Sequence, residues 1–409
     1  MREIYLDHAA ATPVDPRVLE AMLPYLHGAY GNPSSFHTKG KEAADALLKA
    51  RETVAEILGA RADEIIFTSG GTESDNLAIL GAARASASKG KHLVTTAFEH
   101  QAVMEAMQNL EKKEGFEVAF VEVGSEGVVN PKDVLDAVRD DTTLVSVMYV
   151  NNEIGTIQPI SEIGRGLHAR TSKRSDGHGQ VLFHTDACQA AGALPLDVTK
   201  LHIDLMTLNG SKIYGPKGVG ALYRRRGVKL QPLQFGGAQE FGLRGGTENV
   251  AGIVGLAKAL EIAQEEMKTE NARQSKLRDE LISRILQTIP KTRLNGHAAK
   301  RLPNNVNISF MDLEGEALLL YLDAEGIYAS TGSACTSASL DPSHVILALG
   351  VPFEAAHGSM RFSLGRSTTR EDIDRLMGVL PPLVDKLRAI SPVRVDEKYW
   401  KPYRIIRQS

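Results

Sequence analysis

Asn209-Gly210-Ser211-Lys212-Ile213-Tyr214-Gly215-Pro216-Lys217-Gly218 is the stretch that decides how the chain is read. It follows the apolar run Ile203 to Leu208, short, aliphatic and closed by glycine, the pattern of a buried strand entering a turn. A lysine at such a point is held in place, with backbone N–H groups beside it. That suits an amine forming a Schiff base with a phosphate-bearing aldehyde cofactor. The same residues also fit a surface loop with two solvated lysines, Lys212 and Lys217. The surrounding sequence separates the two readings.

Outward from this stretch, short apolar runs alternate with helical ones. Strands are expected at Ile65 to Thr68, His92 to Thr96, Glu117 to Val121 and Thr143 to Tyr149, then at Val181 to His184, Ile203 to Leu208 and Gly220 to Tyr223. This alternation predicts an α/β fold, a mostly parallel sheet with helices on both faces and its site at the carboxyl ends of the strands. Asp15-Pro16 starts a first helix and Gly40 to Leu58 forms a second. A helical stretch from Asn249 to Gln287 leads into a smaller α+β C-terminal domain, with strands near Val306 to Phe310 and Gly358 to Ser363 and helices near Gly315 to Asp323 and Arg370 to Leu387. The expected division is a large domain over 15–258, a small domain over 1–14 and 259–390, and an arm over 391–409. Thr171 to Gly179 reads as a polar surface loop.

Composition narrows the function. The 409 residues are 43% hydrophobic and 24% charged with a net charge of -3, which gives no reason to expect nucleic acid or a membrane surface as partner. No apolar run reaches the length of a membrane span, and the first residues show no signal-peptide apolar region, so a cytoplasmic protein is expected. Two cysteines, Cys188 and Cys335, form no disulfide framework and speak against a metal site built from protein ligands alone.

Several stretches carry chemistry. In Thr68-Ser69-Gly70-Gly71-Thr72-Glu73-Ser74-Asp75 a strand meets a Gly-Gly turn and a helix start, with Thr72 and Asp75 spaced as a capping box over a phosphate-binding helix end. Asp186 closes a strand and could keep a pyridine nitrogen protonated, or serve only as a cap. His100 follows another strand, where an imidazole can stack on a ring or move a proton. Asn151-Asn152-Glu153 places amides at a strand end, and Arg361 could clamp a carboxylate. Cys335 lies in Gly332-Ser333-Ala334-Cys335-Thr336-Ser337, a small, polar loop that predicts an exposed, mobile nucleophile. Cys188, at what reads as a small-residue helix start, is taken as packing.

Taken in order, Gly71-Thr72-Glu73-Ser74-Asp75-Asn76, Val150-Asn151-Asn152-Glu153-Ile154-Gly155, Tyr214-Gly215-Pro216-Lys217-Gly218 and the Cys335 loop resemble the cysteine desulfurases of the NifS/IscS type, class V enzymes of the fold-type I pyridoxal-phosphate group. The resemblance runs from Tyr5 to about Ala389. It implies that Lys212 bonds to pyridoxal 5'-phosphate, Asp186 pairs with its ring nitrogen and His100 stacks on it. Gln189 and Asn152 would serve its oxygen and the substrate, and Gly71, Thr72, Asn209 and Ser211 its phosphate. Thr247 would complete the phosphate cradle from the second subunit of a homodimer. Arg361 would bind the carboxylate of L-cysteine. Sulfur would pass to Cys335 as a persulfide, then to an acceptor such as an iron–sulfur scaffold protein, with Cys335 at most a transient cluster ligand. The chain departs from the family at Asn209 and Ser211, where serine and histidine are usual. A selenocysteine lyase or class V aminotransferase is the runner-up; a non-enzymatic sulfur-transfer scaffold leaves the intact Lys212, Asp186, His100 and Cys335 set unexplained. No Gly-x-Gly-x-x-Gly follows the first strand, which disfavours a nicotinamide enzyme.

Overall fold

A computed structural model describes residues 2–171, 180–332 and 341–400. The strands are β1 (Ile4–Tyr5), β2 (Ile65–Thr68), β3 (His92–Thr96), β4 (Glu117–Val121), β5 (Thr142–Ser146) and β6 (Leu182–Asp186). They continue with β7 (Leu205–Asn209), β8 (Gly220–Arg224), β9 (Thr292–Leu294), β10 (Asn305–Phe310), β11 (Ile327–Tyr328) and β12 (Ser359–Ser363). The helices are α1 (Pro16–His27), α2 (Thr38–Leu58), α3 (Gly71–Ser86), α4 (Gln101–Glu114), α5 (Pro131–Asp136) and α6 (Ile160–Thr171). After them come α7 (Val198–Leu201), α8 (Val250–Thr288), α9 (Gly315–Ala324), α10 (His344–Ala348), α11 (Phe353–Ala356) and α12 (Arg370–Ile390).

The large sheet has the order β2-β8-β7-β6-β5-β3-β4. Strands β3 to β7 pair in parallel, and β8 runs antiparallel to both β7 and β2. The mixed but mostly parallel sheet is the one expected. Its alternating side chains feed two apolar layers: Ile65 and Phe67 join one with α2 and the first half of α8, while Ile66 joins the other with α3 and α4. Strand β7 starts two residues later than expected, because Asp197 caps a helical turn that ends at His202 in the left-handed region (φ 56°). A second core gathers around β12-β10-β9 and the β1–β11 pair, covered by α9, α12 and the end of α8. α8, 39 residues and about 58 Å long, is buried at Leu256 and Leu260 in the first core and at Leu281 and Ile285 in the second.

Both ends of the described chain pack against the rest of it. The first residues are a sheet-forming segment: β1 pairs with β11, and Asp7 bridges to Ser363 of β12. Of the expected 391–409 arm, residues 391–400 are described, and there Val395 and Trp400 are partly buried against the apolar cluster that holds Met148 and Ile346. The polar loop 172–179 lies outside the described residues. Among the described residues no helix is long and apolar enough to cross a membrane.

Candidate active site

The strand ends of the large sheet place the first group of residues. After β2, Gly70 takes φ 154° and ψ −175° and stands as the N-cap of α3 without any side-chain bond. The expected Thr72–Asp75 capping box is not formed. Glu73 accepts from Ser69 N (2.7 Å) and Ser74 pairs with Thr68 (Oγ to Oγ, 2.7 Å), so the helix begins at Gly71 and Thr72 falls inside its first turn. Asp75 turns into the core instead, 1% exposed. An uncapped helix start leaves N–H groups directed at an anion. A Cβ on Gly71 would stand 2.8 Å from Cys188 Sγ and 3.4 Å from Asn209 Nδ2, so a side chain there would fill the space in front of them. Asn209 Oδ1 accepts from Ser211 N (3.3 Å) and Ser211 Oγ (3.2 Å), which leaves its Nδ2 to donate on the Gly71 side.

Asp186 ends β6 and accepts from Cys188 N through Oδ1 (2.8 Å), so it caps the next turn while facing the cavity. The expected helix at 187–191 is a single turn, ended by Gly192 at φ 84°. Cys188 is buried yet lines the cavity, and burial, then Asp186 and Asp75, push its thiol well up. Burial and the nearby Asp186 also push the Asp75 carboxyl well above its ordinary pKa. His184 lies between Ser146 Oγ (2.9 Å) and Thr207 Oγ1 (3.1 Å), and burial lowers it to about 4. His100 is the N-cap of α4; its Nδ1 accepts from Ala102 N (3.1 Å), so the ring's proton sits on Nε2. Burial lowers its pKa, and a neutral imidazole faces the cavity. Lys212 follows β7 in a short 3₁₀ turn and donates from Nζ to Ala10 O.

The opposite end of the cavity is assembled from distant segments. Arg361, on β12 and 2% exposed, donates from Nη1 to Asn152 O (3.0 Å) and from Nη2 to Asp7 Oδ1 (2.8 Å). Gln189 Nε2 donates to Ala9 O (3.0 Å), and Thr12 N to Ser211 O (2.9 Å). Residues 7–12 therefore strap four expected site residues, Gln189, Ser211, Lys212 and Arg361. Nothing in the composition of residues 7–12 marks the segment as functional, apart from the polar pair Asp7-His8 ahead of three alanines. Glu153 is fully buried: it accepts from Ser343 Oγ (2.5 Å), and its Oε2 would lie 2.6 Å from a Cβ on Gly332 (φ 119°). Burial raises its pKa, and Ser343, His344 and Arg361 lower it. Glu153 thus joins the described residues on both sides of 333–340. Cys335 lies outside the described residues.

Together Gly71, Thr72, His100, Asn152, Asp186, Gln189, Asn209, Lys212 and Arg361 surround one cavity of about 220 Å³, with Asp75, Met148, Val150 and Cys188. Ser211 supports it through Asn209. Thr247 does not line it within its own chain; it is exposed on the segment anchored by Arg244 to Glu73 (3.0 Å). A lysine amine, a carboxylate, a neutral imidazole and an uncapped helix start around one space fit a ring with an aldehyde, a basic nitrogen and a phosphate. Among the described residues no three His, Cys, Asp or Glu gather as a metal site needs.

The family model for class-V aminotransferases matches residues 4–376. The chain is 54% identical over 396 residues to the cysteine desulfurase IscS of Methanosarcina thermophila, covering 97% of this chain and 95% of the relative. It is 51% identical to that of Dictyoglomus turgidum, covering 98% of each. Among solved structures, a NifS-like protein superposes with a TM-score of 0.87 at 38% identity, covering 94% of this chain and all of the other. A structure described as SspA in complex with cysteine superposes with a TM-score of 0.77 at 36% identity, covering 88% and 98%. The chain belongs to the class-V aminotransferase family, among its cysteine desulfurases.

Proposed function

We propose that the protein takes the sulfur of L-cysteine, releasing L-alanine and leaving a persulfide on Cys335. The observation that carries this reading is the meeting of Lys212, Asp186 and His100 with Arg361 around one cavity. Lys212 would hold the aldehyde carbon of pyridoxal phosphate, Asp186 its ring nitrogen, and Gly71, Thr72, Asn209 and Ser211 its phosphate. That group, when bound, supplies a ring that draws electrons away from the substrate's Cα. Arg361 binds the substrate carboxylate and Asn152 lies beside it. The Lys212 amine takes the Cα proton at Nζ, and the neutral His100 offers Nε2–H to the reacting groups. The Cys335 thiolate attacks the substrate sulfur: an S–S bond forms, the Cβ–S bond breaks, and its electron pair takes up a proton on the carbon skeleton that leaves as alanine. One L-cysteine and one thiol thereby give one L-alanine and one persulfide, with no outside oxidant.

The persulfide sulfur then passes to an acceptor such as an iron–sulfur scaffold protein, in a reducing cytoplasm. The protein works as a homodimer, with Thr247 of each copy completing the other's phosphate cradle. Exposed apolar side chains (Leu19, Leu23, Leu26, Phe36, Phe235) supply surface for that contact, and a monomeric mass in light scattering would remove it. The reaction is tested by incubating the pyridoxal-phosphate-loaded protein with L-cysteine, following alanine release and the mass of the Cys335 peptide. Alanine and one added sulfur on Cys335 are expected. K212A should lose the visible absorption of the lysine-bound cofactor and all alanine release, and C335S the persulfide. Wild-type protein that releases no alanine sinks the reading.

A further inference from the structure

Arg361 meets the cavity already engaged. Both terminal nitrogens are taken, one by Asn152 O (3.0 Å) and one by Asp7 Oδ1 (2.8 Å), while Nε is buried without a hydrogen-bond partner. Asp7 is built into this place. Ser363 N donates to Leu6 O (2.7 Å), Ala9 N to Ser363 Oγ (2.9 Å), and Tyr5 OH to Asp7 O (3.1 Å), so the backbone on both sides of Asp7 is tied to β12 or to its own arm. Its carboxylate is 18% exposed beside an arginine that is 2% exposed. A guanidinium matches one carboxylate through a planar pair of N–H groups. A ligand carboxylate arriving from the cavity therefore either shares Arg361 with Asp7 or displaces it from Nη2.

We infer that Asp7 is a built-in competitor of the substrate carboxylate, occupying Arg361 in the free protein and setting how tightly a ligand carboxylate is held. The inference rests on the reading of Arg361 as the substrate's carboxylate partner. L-Alanine, the product, carries the same carboxylate as L-cysteine. A competitor that weakens both by the same factor raises KM and speeds product release, because binding shared by substrate and product adds nothing to the chemical step.

The test uses the full chain loaded with pyridoxal phosphate, titrated with L-alanine and read by the change in visible absorption, beside steady-state kinetics with L-cysteine. D7N keeps an oxygen for Nη2 and removes the charge; D7A removes both. D7N should bind L-alanine about tenfold more tightly, the scale of losing one like charge within a few ångströms of a partly screened site. The KM for L-cysteine should fall with it, and kcat should fall as alanine leaves more slowly. D7A, if it folds, should move alanine affinity in the same direction. Support for the arm alone predicts the opposite sign, a weaker alanine complex. R361Q is the control and should weaken L-alanine binding at least about tenfold. Unchanged or weaker alanine binding in D7N, with R361Q impaired, overturns the competitor. Unchanged binding in R361Q overturns the Arg361 assignment first and this inference with it.

Discussion

The two ends of the cavity are built in different ways. The cofactor end comes from four strand ends of one sheet: Gly71 and Thr72 after β2, His100 after β3, Asp186 at the end of β6 and Lys212 after β7. Each sits within a few residues of the strand that positions it. The substrate end joins Asp7 of the first segment, Asn152 and Glu153 of the loop after β5, and Arg361 of the second sheet. Its contacts span more than 200 residues, as in the Arg361–Asn152 and Arg361–Asp7 bonds. The first end is set by local chain geometry. The second exists only when the two cores are docked.

The comparison is tested hardest at Asp186. A cofactor end that acts through preorganised charge should lose turnover when that charge goes, even though the sheet around it stays. D186A is expected to lower alanine release roughly 10²–10³-fold, with unfolding little changed. A D186A protein within threefold of wild type would mean that Asp186 is only the cap of the 187–193 turn.

This division also explains what was legible in the sequence. Strands of the large sheet, the 39-residue helix and every cofactor-end residue sit in stretches whose period, glycine turns and strand-closing polar residues are local signals. The phosphate turn shows the limit. Thr72 and Asp75 have capping-box spacing, but Glu73 and Ser74 make the bonds that set the helix start, so Asp75 becomes a buried acid whose pKa burial and Asp186 push up. The strap formed by residues 7–12 was not legible, since its partners, Ser211, Lys212 and Arg361, are 199, 202 and 354 residues away. Glu153 carries no local signal of its own within Asn151-Asn152-Glu153. Its role depends on Ser343, 190 residues further on.

Glu99, next to His100 in the chain, carries a second buried carboxyl. Its Oε1 accepts from Thr96 Oγ1 (2.5 Å) and Met148 N (2.9 Å), its Oε2 is buried without a partner, and its carbonyl accepts from His344 (2.9 Å). Burial pushes its pKa up to about 8. The folded protein therefore binds the proton more tightly than the unfolded chain, and this contribution to stability is lost as pH rises from the ordinary glutamate value through 8. His184 and His8, lowered to about 4 by burial, act in the opposite sense: they cost stability as pH falls from 6.5 toward 4. E99Q keeps an oxygen for Thr96 and Met148 and removes the alkaline loss. It should gain on the order of 3 kcal/mol relative to wild type between pH 5 and 9, read by denaturant unfolding across that range. Parallel pH curves for the two proteins would place Glu99 in an ordinary, ionised state.

The smallest effect tests whether the substrate end is held together one bond at a time. Ser343 Oγ donates to Glu153 and accepts from Val345 N (3.1 Å) and Ile346 N (3.4 Å) at the start of α10. One hydroxyl thus caps a helix of the second half and binds a carboxyl from the loop after β5. S343A removes both, and each is worth about 1 kcal/mol. If the ends are assembled separately, S343A should lower stability by about 1–2 kcal/mol and leave the affinity for pyridoxal phosphate within twofold, because among the described residues the Ser343 hydroxyl bonds to Glu153, Val345 and Ile346. The discriminating measurement is cofactor affinity. A loss there as large as the loss of stability would mean that the two ends rise and fall together, and that the cofactor end, although locally built, is completed only by the docking of the other half.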